Sequence, residues 1–281
     1  MKTLIQKVHV EDQHSFACRE YRTPNFETNW HKHEEYELIL ITKGNGTLLM
    51  GDYIGEYKNG DVYFLAGNLP HWFRKQQQKM NAAAIVIHFR MEIFGLPFLA
   101  TPELKTIHNL LRKNNGIQLQ KHLKKNITDL INGFQHSKGF YRIQQLLFCL
   151  YQISSSNLYS VLTSNFSNTK EQINPAIEII FNYSFKHYLN RITLSEIAKV
   201  ANMSIPTFCR FFKRNVKKTY FDFLQELRIG YACQLLTTTK MPILEICYES
   251  GYNSWAHFSK KFKAIKHTTA SRYRNELSIE F

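Results

Sequence analysis

Two ten-residue stretches repeat one pattern fifty residues apart: Ser204-Ile-Pro-Thr-Phe-Cys-Arg-Phe-Phe-Lys213 and Ser254-Trp-Ala-His-Phe-Ser-Lys-Lys-Phe-Lys263. Each opens with Ser, whose hydroxyl oxygen accepts from an unsatisfied backbone N–H at a helix start. Each places Phe at the fifth and ninth positions, one helical turn apart and so on one face. Each has a cation at the seventh position (Arg210, Lys260) and Lys at the tenth. A chain so patterned is constrained to end in two like helices, apolar on one edge and basic on the other.

The flanking residues supply a short helix and a tight turn before each. Thr193-Leu-Ser-Glu196 is a capping box opening a helix from Leu194 to Ala201 that ends at Asn202. Pro242 starts the corresponding helix before the second stretch, and Gly251 ends it. Thr219 caps a long helix running through Phe223, Leu224, Leu227, Ile229, Ala232 and Leu236, and Asn174-Pro175 caps and starts an earlier one (Ile177, Ile180, Phe181). That predicts seven helices and two helix-turn-helix units, whose second helices lie in the major groove of DNA. Phe208, Phe211, Phe212, Phe258 and Phe262 are expected in the core. The DNA-facing set is Ser204, Pro206, Thr207, Cys209, Arg210, Lys213 and Arg214 in the first unit, and Ser254, Trp255, Ala256, Ser259, Lys260 and Lys263 in the second. Arg210 is the expected reader of guanine, since Arg is the commonest bidentate partner of that base. Lys213, Arg214, Lys217, Lys261 and Lys263 are expected on phosphates.

Charge agrees with a polyanionic partner. The 281 residues carry a formal +14, and from Ile173 onward sixteen basic side chains face eight acidic ones. Five cysteines (Cys18, Cys149, Cys209, Cys233, Cys247) are scattered without a CxxC pair, which argues against disulfide staples and a thiolate zinc site. The N-terminal residues turn polar before a signal-peptide core forms, and no run of about 18 apolar residues exists to span a bilayer. A cytoplasmic protein without membrane contact is expected.

The first hundred residues read differently. Glu37-Leu-Ile-Leu-Ile-Thr42, Thr47–Met50, Val62–Leu65 and Ala84–Phe89 are short β-branched or apolar runs, separated by turns at Lys43–Gly46, Gly51-Asp52 and Gly60-Asp61. They predict a small β-barrel or sandwich. After Pro102 helical spacing takes over: Leu104, Ile107, Leu110 and Leu111; then Leu123, Ile127, Leu130, Ile131 and Phe134; then an apolar helix near Arg142–Ile153. Three such helices carry more apolar surface than the barrel needs, which points to a dimer face. The expected domains are 1–162 for effector binding and dimerisation (barrel about 1–100, helices about 103–160), a polar linker at 163–172, and a DNA-binding domain at 173–281.

The C-terminal residues resemble the DNA-binding domain of the AraC/XylS (arabinose-regulator) transcription factors. The matching strings are Ile192-Thr-Leu-Ser-Glu-Ile-Ala198, Ser204 to Lys213, Leu227-Arg228 with Ala232 and Leu235-Leu236, and Ile243-Leu-Glu-Ile246. They continue through Gly251-Tyr252-Asn253-Ser254, Phe258-Ser259-Lys260, Phe262-Lys263 and Thr269 to Tyr273-Arg274. The resemblance implies two helix-turn-helix units joined by a long helix, Thr219–Leu236. Four positions depart from the family pattern: its usual Gly after each recognition helix is Lys217 and His267, its usual Pro is Ala270, and its common Arg in the second recognition helix is Lys260.

His31-Lys-His33-Glu-Glu-Tyr-Glu37 sets His31, His33 and Glu37 at even spacing, on one face if the segment is a strand. With Gly44, Gly60-Asp61 and Asn68-Leu-Pro-His71 this resembles the two motifs of the cupin barrel, as found in sensor domains of AraC-type regulators. In metal-binding cupins the positions matching His31, His33, Glu37 and His71 ligate a divalent ion. The residues themselves leave three readings open: effector contact without metal, a metal site, and plain core or surface histidines. Effector contact is the expectation carried forward, with His31, His33, Glu37, His71 and Trp72 as the pocket and no cofactor; Trp30, Tyr36 and Phe73 are aromatic neighbours. The expected function is a non-enzymatic, sequence-specific transcription regulator, activating on the family resemblance. Its expected partners are promoter DNA, RNA polymerase, a small-molecule effector (a carbohydrate being the commonest for such sensors) and a second copy of the chain. The alternative is a cupin metalloenzyme fused to a DNA-binding domain.

Overall fold

The computed structural model of this chain describes residues 8, 10, 13–23, 26, 30–75, 81–113, 115–163 and 175–278. The chain divides into two compact units, Met1–Ile173 and Asn174–Phe281. Of the polar stretch 163–172 only Thr163 is described, and the Asn174 cap also lies outside the described residues.

In the first unit, strands β1 (Ala17–Arg22), β2 (Tyr36–Lys43), β3 (Gly46–Met50), β4 (Tyr53–Tyr57), β5 (Val62–Leu65), β6 (His71–Lys75) and β7 (Ala83–Phe89) precede four helices and two further strands. These are α1 (Leu96–Leu99), α2 (Lys105–Arg112), β8 (Gly116–Leu119), α3 (Lys121–Gly133), α4 (Gly139–Ser154) and β9 (Tyr159–Val161). Among the described residues the strands form two antiparallel sheets, β1-β7-β2-β5-β8-β9 and β4-β3-β6, which do not close into one barrel. Strands β8 and β9 lie in a segment whose apolar spacing reads as helical. At four and three residues they are too short to display alternation, and they owe their conformation to pairing on β5.

Alternation along the large sheet sorts its side chains into two cores. Leu38, Leu40, Val62, Phe64, Ile85, Ile87 and Phe89 pack with Ile107, Leu111, Ile127, Ile131, Leu146 and Leu150 of the helices. Ile39, Ile41, Tyr63, Leu65, Ala84 and Val86 pack with Leu48, Met50, Tyr57 and Phe73 of the small sheet. The unit is therefore three layers, helices on sheet on sheet, and the second core is where a cavity opens. Tyr36 stacks on Phe64 and Phe89 and donates to the Leu111 carbonyl at 2.5 Å, on the helix side and away from that cavity.

The second unit is helical throughout: α5 (Pro175–His187), α6 (Leu194–Val200), α7 (Ile205–Val216), α8 (Tyr220–Thr238), α9 (Ile243–Glu249), α10 (Trp255–Lys266) and α11 (Ala270–Ser278), seven among the described residues. The expected caps are in place. Thr193 and Glu196 form the reciprocal capping box, and Ser204, Thr219 and Ser254 accept from the backbone N–H three residues on. Lys217 and His267 end α7 and α10 in the left-handed region, at φ 61° and 57°. Helix α8 packs on α7, α9, α10 and α11. Arg228, on α8, donates to the carbonyls of Tyr188 and Asn190 at 2.7 and 2.8 Å and lies 5.9 Å from the Tyr252 ring. Gly251 fits beside it at φ 80°, where an added Cβ would meet the Leu189 carbonyl oxygen at 2.7 Å.

Replacing Lys217 or His267 by Gly removes a left-handed strain of about 1–2 kcal/mol, offset in part by the freer unfolded chain. Each change should raise stability by about 0.5–1 kcal/mol in urea denaturation, and a fall in midpoint would contradict the assigned backbone. Gly251→Ala should move the other way, because both the φ value and the Leu189 carbonyl resist a methyl group.

Candidate functional site

In α7 the Phe208 and Phe212 rings are fully buried and pack at 5.8 Å on each other and at 5.4 Å on Tyr220. In α10 Phe258 and Phe262 repeat the arrangement at 5.6 Å, within a core of Ile229, Ala232, Leu236, Ile246 and Tyr252. Phe211, expected in the core, is only half-buried. It falls one position short of the stripe that Phe208 and Phe212 define, so its ring lies at the margin.

With the apolar edge fixed inward, the opposite edge faces solvent. Ser204, Pro206, Thr207, Cys209, Arg210, Lys213 and Arg214 are exposed, as are Ser254, Trp255, Ala256, Lys260 and Lys263, while Ser259 is half-buried. Among the described residues no carboxylate pairs with Arg210, Lys213, Lys260 or Lys263. Lys261 is turned aside to Asp222 of α8 at 3.7 Å. The Ser204 hydroxyl lies 2.8 Å from that of Thr207, so both are engaged locally at the cap. Trp255, 43% exposed, leans on Phe258 at 5.6 Å. The N-terminal turn of α7 thus presents Pro206 and Thr207 and that of α10 presents Trp255 and Ala256, and the middle and end of each helix present cations.

The first unit holds a second constellation. β2 points Glu37 inward with Ile39 and Ile41, and the β2–β7 register sets Glu37 opposite His88. An isolated bridge pairs His31 with His71, bringing the start of β6 against the segment before β2. Glu37 and all four imidazoles are buried, none more than 7% exposed. His33 Nε2 and His88 Nε2 approach Glu37 Oε1 at 3.0 and 2.6 Å, and His71 Nε2 lies 3.2 Å from Oε2. His33 also faces Glu35 at 3.5 Å, and Glu35 accepts from Arg90 at 2.8 Å.

Burial alone would raise the Glu37 carboxyl, but the charges of His71, His33 and His88 outweigh it and hold the group well below the carboxylate range. Burial likewise opposes a charged His33, yet Glu37 and Glu35 raise it to about 9. At Glu35 the cost of burial is overcome by hydrogen bonds from His33 and Arg90, which bring it to about 2.

Beside this cluster lies a cleft that opens to solvent. His31, Glu37, His71 and His88 form its polar end; Tyr21, Phe26, Ile39, Phe73 and Val86 are among its apolar walls. Of the expected pocket residues, His31, Glu37 and His71 line this cleft, and His33 backs them through Glu37. Trp72 does not: it is buried, but strand alternation turns it to the face opposite His71 and Phe73. His88 was outside the expected set. No motif points to it; its only sequence signal is its place two residues beyond Val86 on the inward face of a strand. Among the described residues two groups of donors lie close enough to hold a metal ion, His31–His33–His71 and His33–Glu37–His88, each with its ligand atoms within 4.8 Å of one another.

Glu37→Ala should destabilise the chain by about 3–5 kcal/mol in urea denaturation, because it strands a buried imidazolium without its counter-charge. A loss below about 1 kcal/mol would mean that the carboxylate is not paired as described.

A family model described as an AraC-like ligand binding domain matches residues 13–147, and one described as a helix-turn-helix domain matches residues 197–276. The chain is 24% identical over 271 residues to the lactose operon transcription activator of Staphylococcus xylosus, covering 92% of this chain and 91% of that one. It is 23% identical over 234 residues to the transcriptional activator RhaS of Mannheimia succiniciproducens, with 83% and 84% covered. Among solved structures it is similar to ToxT from Vibrio cholerae O395, at 16% identity and a TM-score of 0.38, with 94% of this chain and 98% of that one covered.

Proposed function

The chain belongs to the AraC family of DNA-binding transcription regulators with a ligand-binding domain, and from that premise we propose how its own residues do the work. The two recognition helices are α7 and α10. Arg210 reads a guanine edge through its two-pronged guanidinium, with Pro206, Thr207 and Cys209 beside it. Trp255, Ala256, Ser259 and Lys260 meet bases in the adjoining groove segment. Lys213, Arg214 and Lys263 neutralise phosphates, and Ser204 and Ser254 hold the helix starts that approach the backbone. The observation that carries this reading is the matched pair of solvent-facing basic edges, each fixed by a buried Phe pair one turn apart.

The first unit takes a small-molecule effector in the cleft beside Glu37. His31, His71 and Glu37 supply hydrogen-bond partners for a polar end, and Tyr21 and Phe73 supply flat apolar walls, a combination that suits a carbohydrate. Relatives named as activators support activation, with RNA polymerase as the further partner. No helix among the described residues is long and apolar enough to cross a membrane, in keeping with action in the cytoplasm. The regulator works as a homodimer through α4, whose outer face carries Phe140, Tyr141, Phe148 and Tyr151, 73, 73, 47 and 50% exposed.

Selection of bound sequences from random DNA by the full chain should recover one motif. Arg210→Ala should then relax one base position by about 1–3 kcal/mol. An equal loss on every sequence would assign Arg210 to phosphate instead. In sedimentation, Phe148→Glu with Tyr151→Glu should turn a dimer into a folded monomer; an unchanged dimer would move the interface off α4.

A further inference from the structure

A second cavity in the first unit shares no lining residue with the cleft. It opens among β1, the segment after α3 and the first turn of α4, where Phe16, Arg19, Phe134, Gln135 and Arg142 line it. Arg142 comes one helical turn before Leu146, which is buried in the helix–sheet core, so its stem follows the inward face of α4. Its guanidinium ends over the Phe16 ring, 4.7 Å from the centroid, and Nη2 donates to the Phe16 carbonyl at 3.3 Å. Phe16 in turn packs edge-on against Phe134 at 5.9 Å, so the charge rests on a buried apolar floor. Nothing negative answers it. Among the described residues no carboxylate pairs with Arg142, and its Nε–H is buried without an acceptor, a costly state for a donor on a charged group. Glu20, the carboxylate of β1, pairs with Arg22 at 2.9 Å instead. Burial keeps the Cys18 thiol above its ordinary value despite the Arg142 charge, so it stays protonated and supplies no counter-charge.

We propose that this cavity binds a small oxyanion, a phosphate or a carboxylate, gripped by the guanidinium groups of Arg142 and Arg19. A planar fork of N–H donors matches a pair of oxygens on either group, and the attraction strengthens where protein shields it from water. Arg19 brings its charge to the same cavity while also hydrogen-bonding the Tyr21 phenol. His14 and the Gln135 amide line the cavity as well and can donate to the remaining oxygens. Arg19 belongs to β1, at the edge of the large sheet, and Arg142 to α4. An anion held by both therefore ties that edge to the helix layer and stabilises the folded unit. The inference rests neither on the effector of the cleft nor on DNA reading, and it stands or falls separately from both.

The test titrates the full chain by calorimetry with inorganic phosphate and, separately, with succinate, in a chloride buffer held at constant ionic strength. Saturable binding of one anion per chain and a rise in melting temperature are expected from at least one of the two. Phosphate alone, succinate alone or both binding would each support the cavity and say which group it prefers. Arg142→Gln should weaken binding at least about 10-fold, and Arg142→Lys, which keeps the charge but loses the fork, should recover only part of that loss. Arg19→Gln, on an edge strand, should weaken it at least about 5-fold and guards against a folding defect in the α4 variants. Arg210→Ala and Lys213→Ala, on the basic edge of α7, should leave it unchanged. Absence of saturable binding of either anion by the unaltered chain, with a Kd below about 10 mM, overturns the proposal and needs no variant to fold. Binding that persists at full strength in both Arg142→Gln and Arg19→Gln, or that Arg210→Ala removes, also overturns it by placing the anion elsewhere.

Discussion

Everything the second unit offers to a partner depends on which way α7 and α10 are rolled, and a pair of phenylalanines one turn apart sets the roll of each. Burying Phe208 and Phe212, or Phe258 and Phe262, removes two large rings from water, roughly 3–6 kcal/mol per pair before entropy. Rotating a helix by a quarter turn would forfeit most of that and sink a cation. The basic edges therefore face outward as a consequence of packing, not of any attraction among the charges themselves. The same logic makes α8 the spine of the unit. It contributes to the cores of both helix-turn-helix units, and Arg228 ties it to the turn after α5 while lying near Tyr252 of the other half.

In the first unit the organising element is a single carboxylate. Glu37 takes the inward position of a strand whose next inward residues are Ile39 and Ile41, so it lies at the polar boundary of an otherwise apolar inter-sheet core. A buried carboxylate persists only with compensating charge or donors, and imidazoles from three other places in the chain converge on it. The cleft inherits its character from this arrangement, polar at one end and apolar along its walls.

How far the sequence reveals all this differs between the halves for a physical reason. In the second unit the signals are local: caps, one-turn spacing and turn residues lie within ten residues of the helices they specify, so the helices α6 to α10 can be read directly. In the first unit the decisive contacts are long-range. His88 meets Glu37 only through strand register across fifty-one residues, and no local pattern carries that. Trp72 illustrates the companion error, since a one-residue shift in a strand reverses the face; the inward residues are His71 and Phe73. Strands β8 and β9 are likewise set by partners rather than by their own few residues. Phe211 marks the resolution of the helical pattern itself, which identifies a stripe but not its margin.

On the proposed function, α7 and α10 read DNA together from one body. Hydroxyl-radical footprinting of the full chain on its selected site tests it most directly. Two protected segments on one face of the duplex, about one helical turn (10–10.5 base pairs) apart for each bound chain, are the predicted result, with Lys260→Ala weakening protection of one segment and Arg210→Ala the other. A single protected segment that either substitution removes entirely, or protection on opposite faces, would contradict it.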